Sequence, residues 1–547
     1  MVATKLGPVL IMGCALLGVS FETCAKDGSS KAQQACDALS GLRIPASAIG
    51  LPTAGAKIEK ASFVAADAGN NTNGEYCAVT GVISPVSPEA PGIEFQVNLP
   101  SSWNGKAVQL GGGGYDGSLV TATGRAALEP ADVPTPLKQG FVTLGSDGGH
   151  KGGPGFDGRF GLNDEALLNY GRQSIKKTHD VAVEIIRNRY ARAPARFYFI
   201  GGSQGGHEAL DAAARYPADY DAVVSNFPAY NVTMLHLASL NVGKAVYANH
   251  GAGWLSPAKT KLLTDAVYAA CDTLDGVKDG IISNVAGCNA AFNVKTLRSK
   301  LACPGGQDAE TCLTPAQIAA VEQITSPYRP GFPIAGMSEF PRWPLLEGAL
   351  FQVSTFGTRP VPTNPPTTAD ALLYTAGAAT AKYIIGRDAS LDALTFDPNT
   401  SAALRARTQE VAKIMDVTDV DLTPFRKKGG KIILVHGTVD DFISPHNTIA
   451  YYNRQRTLQG QALDSFVRFY LVPGLGHGMG PFNAKYDGLK VLEEWVEEGR
   501  APGTLTAVDE NPATKGRTRP MCVFPDWPKY DGAGSVDAAS SYRCVER

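Results

Sequence analysis

Residues 197–210, FYFIGGSQGGHEAL, decide the fold. The aromatic and β-branched run reads as a buried strand, the Gly-x-Ser-x-Gly frame around Ser203 as a tight turn, and the residues after it as a helix. The glycines have a steric task. Side chains at Gly201 and Gly205 would collide with backbone across such a turn, and the N-terminus of the following helix favours negative charge developing beside Ser203. A serine in this setting is a candidate nucleophile.

The neighbouring text supplies the sheet. IEFQVNL (93–99) and KAVQL (106–110) read as strands, FVTLGSD (141–147) as another, and residues 174–190 carry apolar residues at helical spacing. The segment 207–229, HEALDAAARYPADYDAVVSNFPA, reads as a helix, a proline-marked break and a buried strand. Alternation lapses between about 230 and 428 and resumes with KIILVHGTVDD (431–441), a helix near 447–455, FVRFYLVPGLGHG (466–478) and a last helix, LKVLEEWVEEG. Strands alternating with helices imply a mainly parallel sheet flanked by helices, here the α/β-hydrolase fold. A chain of 547 residues is long enough for a second packed unit. The expected organisation is a signal peptide at 1–25, a discontinuous catalytic domain at 26–229 and 425–547, and an inserted lid at 230–424.

A serine hydroxyl needs a base to take its proton and a carboxylate to orient that base. Of the eight histidines, His477 follows a strand in a glycine-rich turn, GLGHGMG, at the carboxyl edge of a parallel sheet. His207 falls in the first turns of the helix after Ser203 and reads as structural or as a pocket wall. HGTVDDFISP (436–445) offers Asp440 and Asp441, in the chain order Ser, Asp, His that this fold uses. Asp440, first after the turn, is the expected orienting acid; chemistry alone does not separate it from its neighbour. The oxyanion donors are expected to be the backbone N–H of Gln204 and an N–H from the glycine run 111–114, at Gly113 or Gly114.

The 50 basic residues balance 52 acidic ones, with neither sign in a long block, so a nucleic-acid partner is not expected. The opening MVATKLGPVLIMGCALLGVSFETCAKDG has the layout of a secretory signal peptide cleaved near Ala25, too short to span a membrane stably. Lipoprotein anchoring at Cys14 is the alternative, weakened by an apolar run that continues past it. The expected location is periplasmic or secreted. Eight cysteines then remain, an even count suggesting disulfides in an oxidising compartment, with 105 possible connectivities.

In the order IGGSQGGHEAL, CDTLDGVKDGII, HGTVDDFISP, LVPGLGHG, these motifs resemble the tannase and feruloyl esterase family, which includes bacterial mono(2-hydroxyethyl) terephthalate hydrolase. The resemblance runs from about Cys36 to Cys544 and implies hydrolysis of small-molecule esters of aromatic acids, including those linked to plant polysaccharide, under a lid. It implies the pairs Cys36–Cys77, Cys271–Cys288, Cys303–Cys312 and Cys522–Cys544. In CDTLDGVKDGII, three carboxylates in a short loop call for a hard cation, and a solvated acidic loop is the alternative. The resemblance implies structural calcium held by Asp272, Asp275 and Asp279 with carbonyls of Val277 and Ile281; no organic cofactor is expected. Many family members join a cysteine before the nucleophile to one after the histidine, whereas this chain has Gly202 and Gly478 there. Arg387 and Trp343 are candidate lid contacts to substrate. Rival readings are a terephthalate-monoester hydrolase, an acyltransferase using the same residues, a serine peptidase and a non-catalytic binding protein.

Overall fold

The computed structural model describes residues 31–153, 156–418 and 421–546, so the expected signal peptide and Cys14 lie outside the described residues. Ten strands form one sheet: β1 (Arg43–Ile44), β2 (Ala56–Val64), β3 (Tyr76–Ile83), β4 (Ile93–Pro100), β5 (Lys106–Leu110), β6 (Val142–Ser146), β7 (Arg196–Gly202), β8 (Ala222–Asn226), β9 (Lys431–Gly437) and β10 (Val467–Val472). Their order is β1-β2-β3-β4-β6-β5-β7-β8-β9-β10.

The sheet is mixed. Strands β1 to β4 pair antiparallel, and β4 joins β6 antiparallel; from β6 through β5, β7, β8 and β9 to β10 every pairing is parallel. Sequence patterning separates the halves. β3 shows partial in-and-out alternation, while β7, β8 and β9 are buried almost continuously because helices cover both faces. The antiparallel strands before residue 93 went unread in the sequence and enlarge the sheet on the side away from the candidate site.

Helices α1 (Ser174–Tyr190), α2 (Gln204–Arg215), α3 (Pro445–Gln459) and α4 (Gly488–Glu498) flank the sheet. One core cluster joins α1 and α2 to Phe95, Val97, Phe197 and Phe199; another joins α4 to Val108, Tyr198, Val224 and Val435. The strand order reverses beside β5, whose sheet neighbours are β6 on one side and β7 on the other. At such a switch point the loops after two adjacent strands part and leave a crevice at their carboxyl ends. The glycine run follows β5 and Ser203 follows β7, so both stand over that crevice.

Between β8 and β9 the described residues add no strand to the main sheet. They form helices, including Val232–Gly251, Pro257–Cys271, Leu372–Ala379 and Ala402–Met415, around a core of their own that also takes in Tyr115, Tyr170, Val439 and Ile443. Among the described residues the cysteines pair as the resemblance implied: Cys36–Cys77, Cys271–Cys288, Cys303–Cys312 and Cys522–Cys544. Among the described residues no helix is long and apolar enough to cross a membrane.

Candidate active site

Ser203 sits between β7 and α2 with φ 61° and ψ −120°, a backbone conformation that costs energy for any residue with a side chain. The turn is possible because its neighbours are bare. A Cβ on Gly201 would lie 2.2 Å from the Gly205 carbonyl oxygen, and one on Gly205 would lie 2.9 Å from that of Gly112. The turn is braced from the loop after β8: the Ser203 N–H donates to Asn226 at 3.0 Å, and the Ala229 N–H donates to the Ser203 carbonyl at 3.2 Å.

His477 follows β10, and its Nδ1 lies 2.8 Å from Asp440 Oδ2. Asp440 is fully buried, and its Oδ1 accepts the N–H groups of Phe442 at 2.9 Å and Ile443 at 2.8 Å. A second imidazole, His436, brings Nε2 to 3.3 Å from the same carboxylate. Burial alone would raise the Asp440 pKa, but His477 and His436 outweigh it and hold the carboxyl well below its usual range. Burial likewise opposes the charged form of His477, and the carboxylate of Asp440 reverses that effect and raises its pKa. Asp441 turns the other way and accepts a hydrogen bond from Ser354. Burial, with Asp440 beside it, pushes Asp441 up to about 7. Of the two candidates, Asp440 is therefore the one placed against His477.

Ser203 and His477 open into one cavity of about 940 Å³, walled by Gly114, Phe156, Leu350, Phe351, Val353, Phe442 and Met479. Of the two candidate oxyanion glycines, Gly114 lines this cavity. Gly113 instead lies by the carboxyl of Asp116. The preceding Gly112 is fully engaged, its N–H donating to Glu208 at 2.9 Å and its carbonyl accepting from the Gly205 N–H at 3.1 Å. Gln204 is the first residue of α2, where a backbone N–H has no intrahelical acceptor.

Several residues at the site escaped the sequence reading. Beneath the glycine run, burial and then the nearby Glu208 raise Asp116, while burial and the nearby Asp211 raise Glu208 to about 7. Phe442 and Phe227 pack on the His477 ring, with centroids 5.2 and 4.7 Å away. The Phe227 ring lies against Gly202 and Gly478, the two positions where the chain departs from the family's cysteines. The HEAL of the nucleophile motif could have flagged Glu208; nothing local in SNFPA flags Phe227. His207 is buried, with Nδ1 3.1 Å from the Ala229 carbonyl, and burial lowers it to about 4. Trp343 packs on Phe340, Arg387 pairs with Asp164 at 2.7 Å, and neither lines the cavity.

In the acidic loop, Asp272 accepts the N–H of Gly280 at 2.9 Å, and Asp275 accepts those of Val277 at 3.3 Å and Ser283 at 3.2 Å. Burial raises both, Asp275 to about 6. Buried, all-oxygen donors suit a hard cation in kind. Asp279 already pairs with Arg519 at 2.5 Å. Among the described residues, the one group of three whose ligand atoms lie within 4.8 Å of one another is elsewhere, at His179, Asp180 and Asp219. There the Lys176 ammonium supplies the positive charge, 2.7 Å from Asp180 and 3.0 Å from Asp219.

The family model for tannase and feruloyl esterase matches residues 77–545. The chain is 40% identical over 521 residues to an uncharacterized esterase of Agrobacterium fabrum, covering 93% of each. It is 30% identical to the mono(2-hydroxyethyl) terephthalate hydrolase of Piscinibacter sakaiensis, covering 86% of this chain and 85% of that one. Its fold matches the crystal structure of feruloyl esterase B from Aspergillus oryzae with a TM-score of 0.75 at 23% identity, over 94% of this chain and all of that one. The chain belongs to the tannase and feruloyl esterase family and is a carboxylic ester hydrolase.

Proposed function

We propose that the chain is an exported serine esterase that hydrolyses esters of aromatic or phenolic acids through an acyl-enzyme on Ser203. The observation that carries this reading is the His477–Asp440 pair opening, with Ser203, into one largely apolar cavity wide enough for an aromatic acid ester. His477 Nε2 takes the Ser203 proton as Oγ attacks the ester carbonyl, and Asp440 holds the imidazole in the required tautomer and stabilises the imidazolium. The N–H groups of Gln204 and Gly114 receive the oxyanion. His477 returns the proton to the departing alcohol, then activates the water that releases the acid.

The charged groups in the cavity wall favour an uncharged acyl group. Besides His477 they are Asp441, next to Asp440 and pushed up by burial to about 7, and Lys261, which is largely exposed and already paired with Asp265. An acyl carboxylate, as in a terephthalate monoester, would be placed near Asp441 with no buried cation to receive it. The helices between β8 and β9 act as the lid, since Thr260, Leu350, Phe351, Val353 and Ser354 form much of the wall. Asp272 and Asp275, with the carbonyls of Val277 and Ile281, would hold a structural calcium ion that adds rigidity at the edge of that lid, while Asp279, the third expected ligand, is paired with Arg519.

Hydrolysis of methyl ferulate, methyl gallate, chlorogenate, mono(2-hydroxyethyl) terephthalate and p-nitrophenyl butyrate tests the reading. Turnover of a neutral aromatic ester that Ser203→Ala lowers by at least about 10⁴-fold supports it. Preference for the terephthalate monoester overturns the uncharged acyl pocket, and loss of no activity in Ser203→Ala overturns the acyl-enzyme.

A further inference from the structure

His477 stands in a glycine-rich loop whose backbone is bonded on either side of it, at Gly476 and Gly478. Gly474, Gly476, Gly478 and Gly480 surround it, and three of these, Gly474, Gly478 and Gly480, have positive φ. Its Nδ1 bond to Asp440 fixes one edge of the ring. A single hydrogen bond leaves the ring free to swing about that bond, and a proton transfer to Ser203 needs the opposite edge aimed at Oγ.

Phe227 supplies the missing constraint. Its ring packs on the imidazole at 4.7 Å between centroids with the planes 56° apart, while Phe442 closes the cavity side at 5.2 Å. The ring fits because two backbone positions are bare. A Cβ on Gly202 would lie 2.8 and 2.9 Å from two Phe227 ring carbons, and one on Gly478 would lie 3.9 Å from the ring. Phe227 is itself held in an unfavourable backbone conformation, φ 36°, by its N–H bond to the Val435 carbonyl at 2.6 Å.

The same short turn grips the nucleophile. Asn226 accepts the Ser203 N–H and Ala229 donates to the Ser203 carbonyl, so one residue on either side of the Phe227–Pro228 pair is bonded to the Ser203 backbone. A displacement of the turn would therefore move the base and the serine together. Behind the ring, a second cavity of about 390 Å³, lined by Gly111, Ala126, Ala127, Gly201 and Gly202, leaves space into which an unsupported loop could relax.

We propose that Phe227 is a positioning residue of the esterase reaction: wedged between Gly202 and Gly478, it couples the backbone of Ser203 to the ring of His477 and fixes the imidazole for proton transfer. This rests on the acyl-enzyme reading above. The substrate does not need to touch Phe227, so its role is in kcat and in the reactivity of Ser203 rather than in binding.

The test measures kcat and KM on the aromatic ester that the wild type hydrolyses, together with the rate of Ser203 labelling by a fluorophosphonate probe and the folded fraction by circular dichroism. In Phe227→Ala, kcat and the labelling rate are expected to fall by roughly 10- to 100-fold with KM within about twofold, and Phe227→Leu to fall between that variant and wild type. Should the alanine variant fail to fold, Gly202→Ala serves: its Cβ pushes the ring aside and lowers kcat, and Gly202→Ala with Phe227→Leu recovers it. A folded Phe227→Ala that keeps kcat and labelling within about threefold of wild type overturns the role, as does a loss that merely follows the folded fraction or a failure of the double variant to recover. Wild-type turnover that survives Ser203→Ala overturns the acyl-enzyme and this role with it, which distinguishes the two failures.

Discussion

Ser354, in the helices between β8 and β9, donates its hydroxyl to Asp441, the neighbour of Asp440. The two adjacent carboxyls therefore have different partners, one tying the helical segment to the loop after β9 and the other facing His477. Their substitutions should separate cleanly. Asp440→Asn is expected to lower kcat by about 10⁴-fold, because an amide there favours the wrong tautomer of His477. Asp441→Asn keeps a hydrogen-bonding partner for Ser354 and should cost about tenfold or less. Steady-state kinetics on the two variants decides; the opposite ranking would make Asp441 the orienting acid.

The pH dependence of activity follows from His477. As the base proposed above it would have to be neutral to accept the Ser203 proton, and its pKa lies above the ordinary imidazole value because Asp440 outweighs burial. The logarithm of kcat/KM should therefore fall with unit slope as pH drops through a value above about 6.5. In residual activity of Asp440→Asn that inflection should move to lower pH, because the main group opposing burial is then gone and only Asp441 still raises it. An inflection that stays in place would show that another group titrates.

Stability should respond to Asp441 with the opposite sign from an ordinary ion pair. Folding raises this carboxyl from 3.8 to about 7, so between those values the folded chain holds a proton that the unfolded chain has released. Its contribution is complete below about pH 4, declines as pH rises toward about 7 and is then lost. Asp441→Asn removes the proton and should flatten that part of the profile of unfolding midpoint against pH. Glu208 and Asp211, raised to about 7 by burial, should leave a residual slope in the variant.

The legible parts of the sequence were those where one local pattern has one physical reading. A buried strand, bare glycines and a helix place Ser203, and a glycine turn after a strand places His477. The antiparallel strands β1 to β3 escaped because their partly exposed residues carry weak alternation and neighbour no chemical motif. Asp440 and Asp441 needed coordinates, since one peptide step reverses which partner a side chain meets. Phe227 was illegible for a different reason: its place against His477 depends on what Gly202 and Gly478 lack, a relation between three segments far apart in the chain.

The acidic loop yields the last prediction. Asp275 and Asp279 are bound to the C-terminal tail, through the Tyr530 N–H to the Asp275 carbonyl at 3.0 Å and through Arg519 and Tyr542 to the Asp279 carboxylate. The tail is closed in turn by Cys522–Cys544. If calcium neutralises Asp272 and Asp275 while Arg519 serves Asp279, chelation leaves two buried carboxylates to be protonated or exposed, loosening loop and tail together. At calcium about 1,000 times its dissociation constant the ion adds about 4 kcal/mol of stability, so chelation should lower the unfolding midpoint by several degrees. Calcium should restore it, and Asp275→Asn should be indifferent to both. A wild type whose midpoint ignores chelator, with no heat of calcium binding by titration calorimetry, would mean that Arg519 and the loop's own N–H groups are sufficient partners for the three carboxylates.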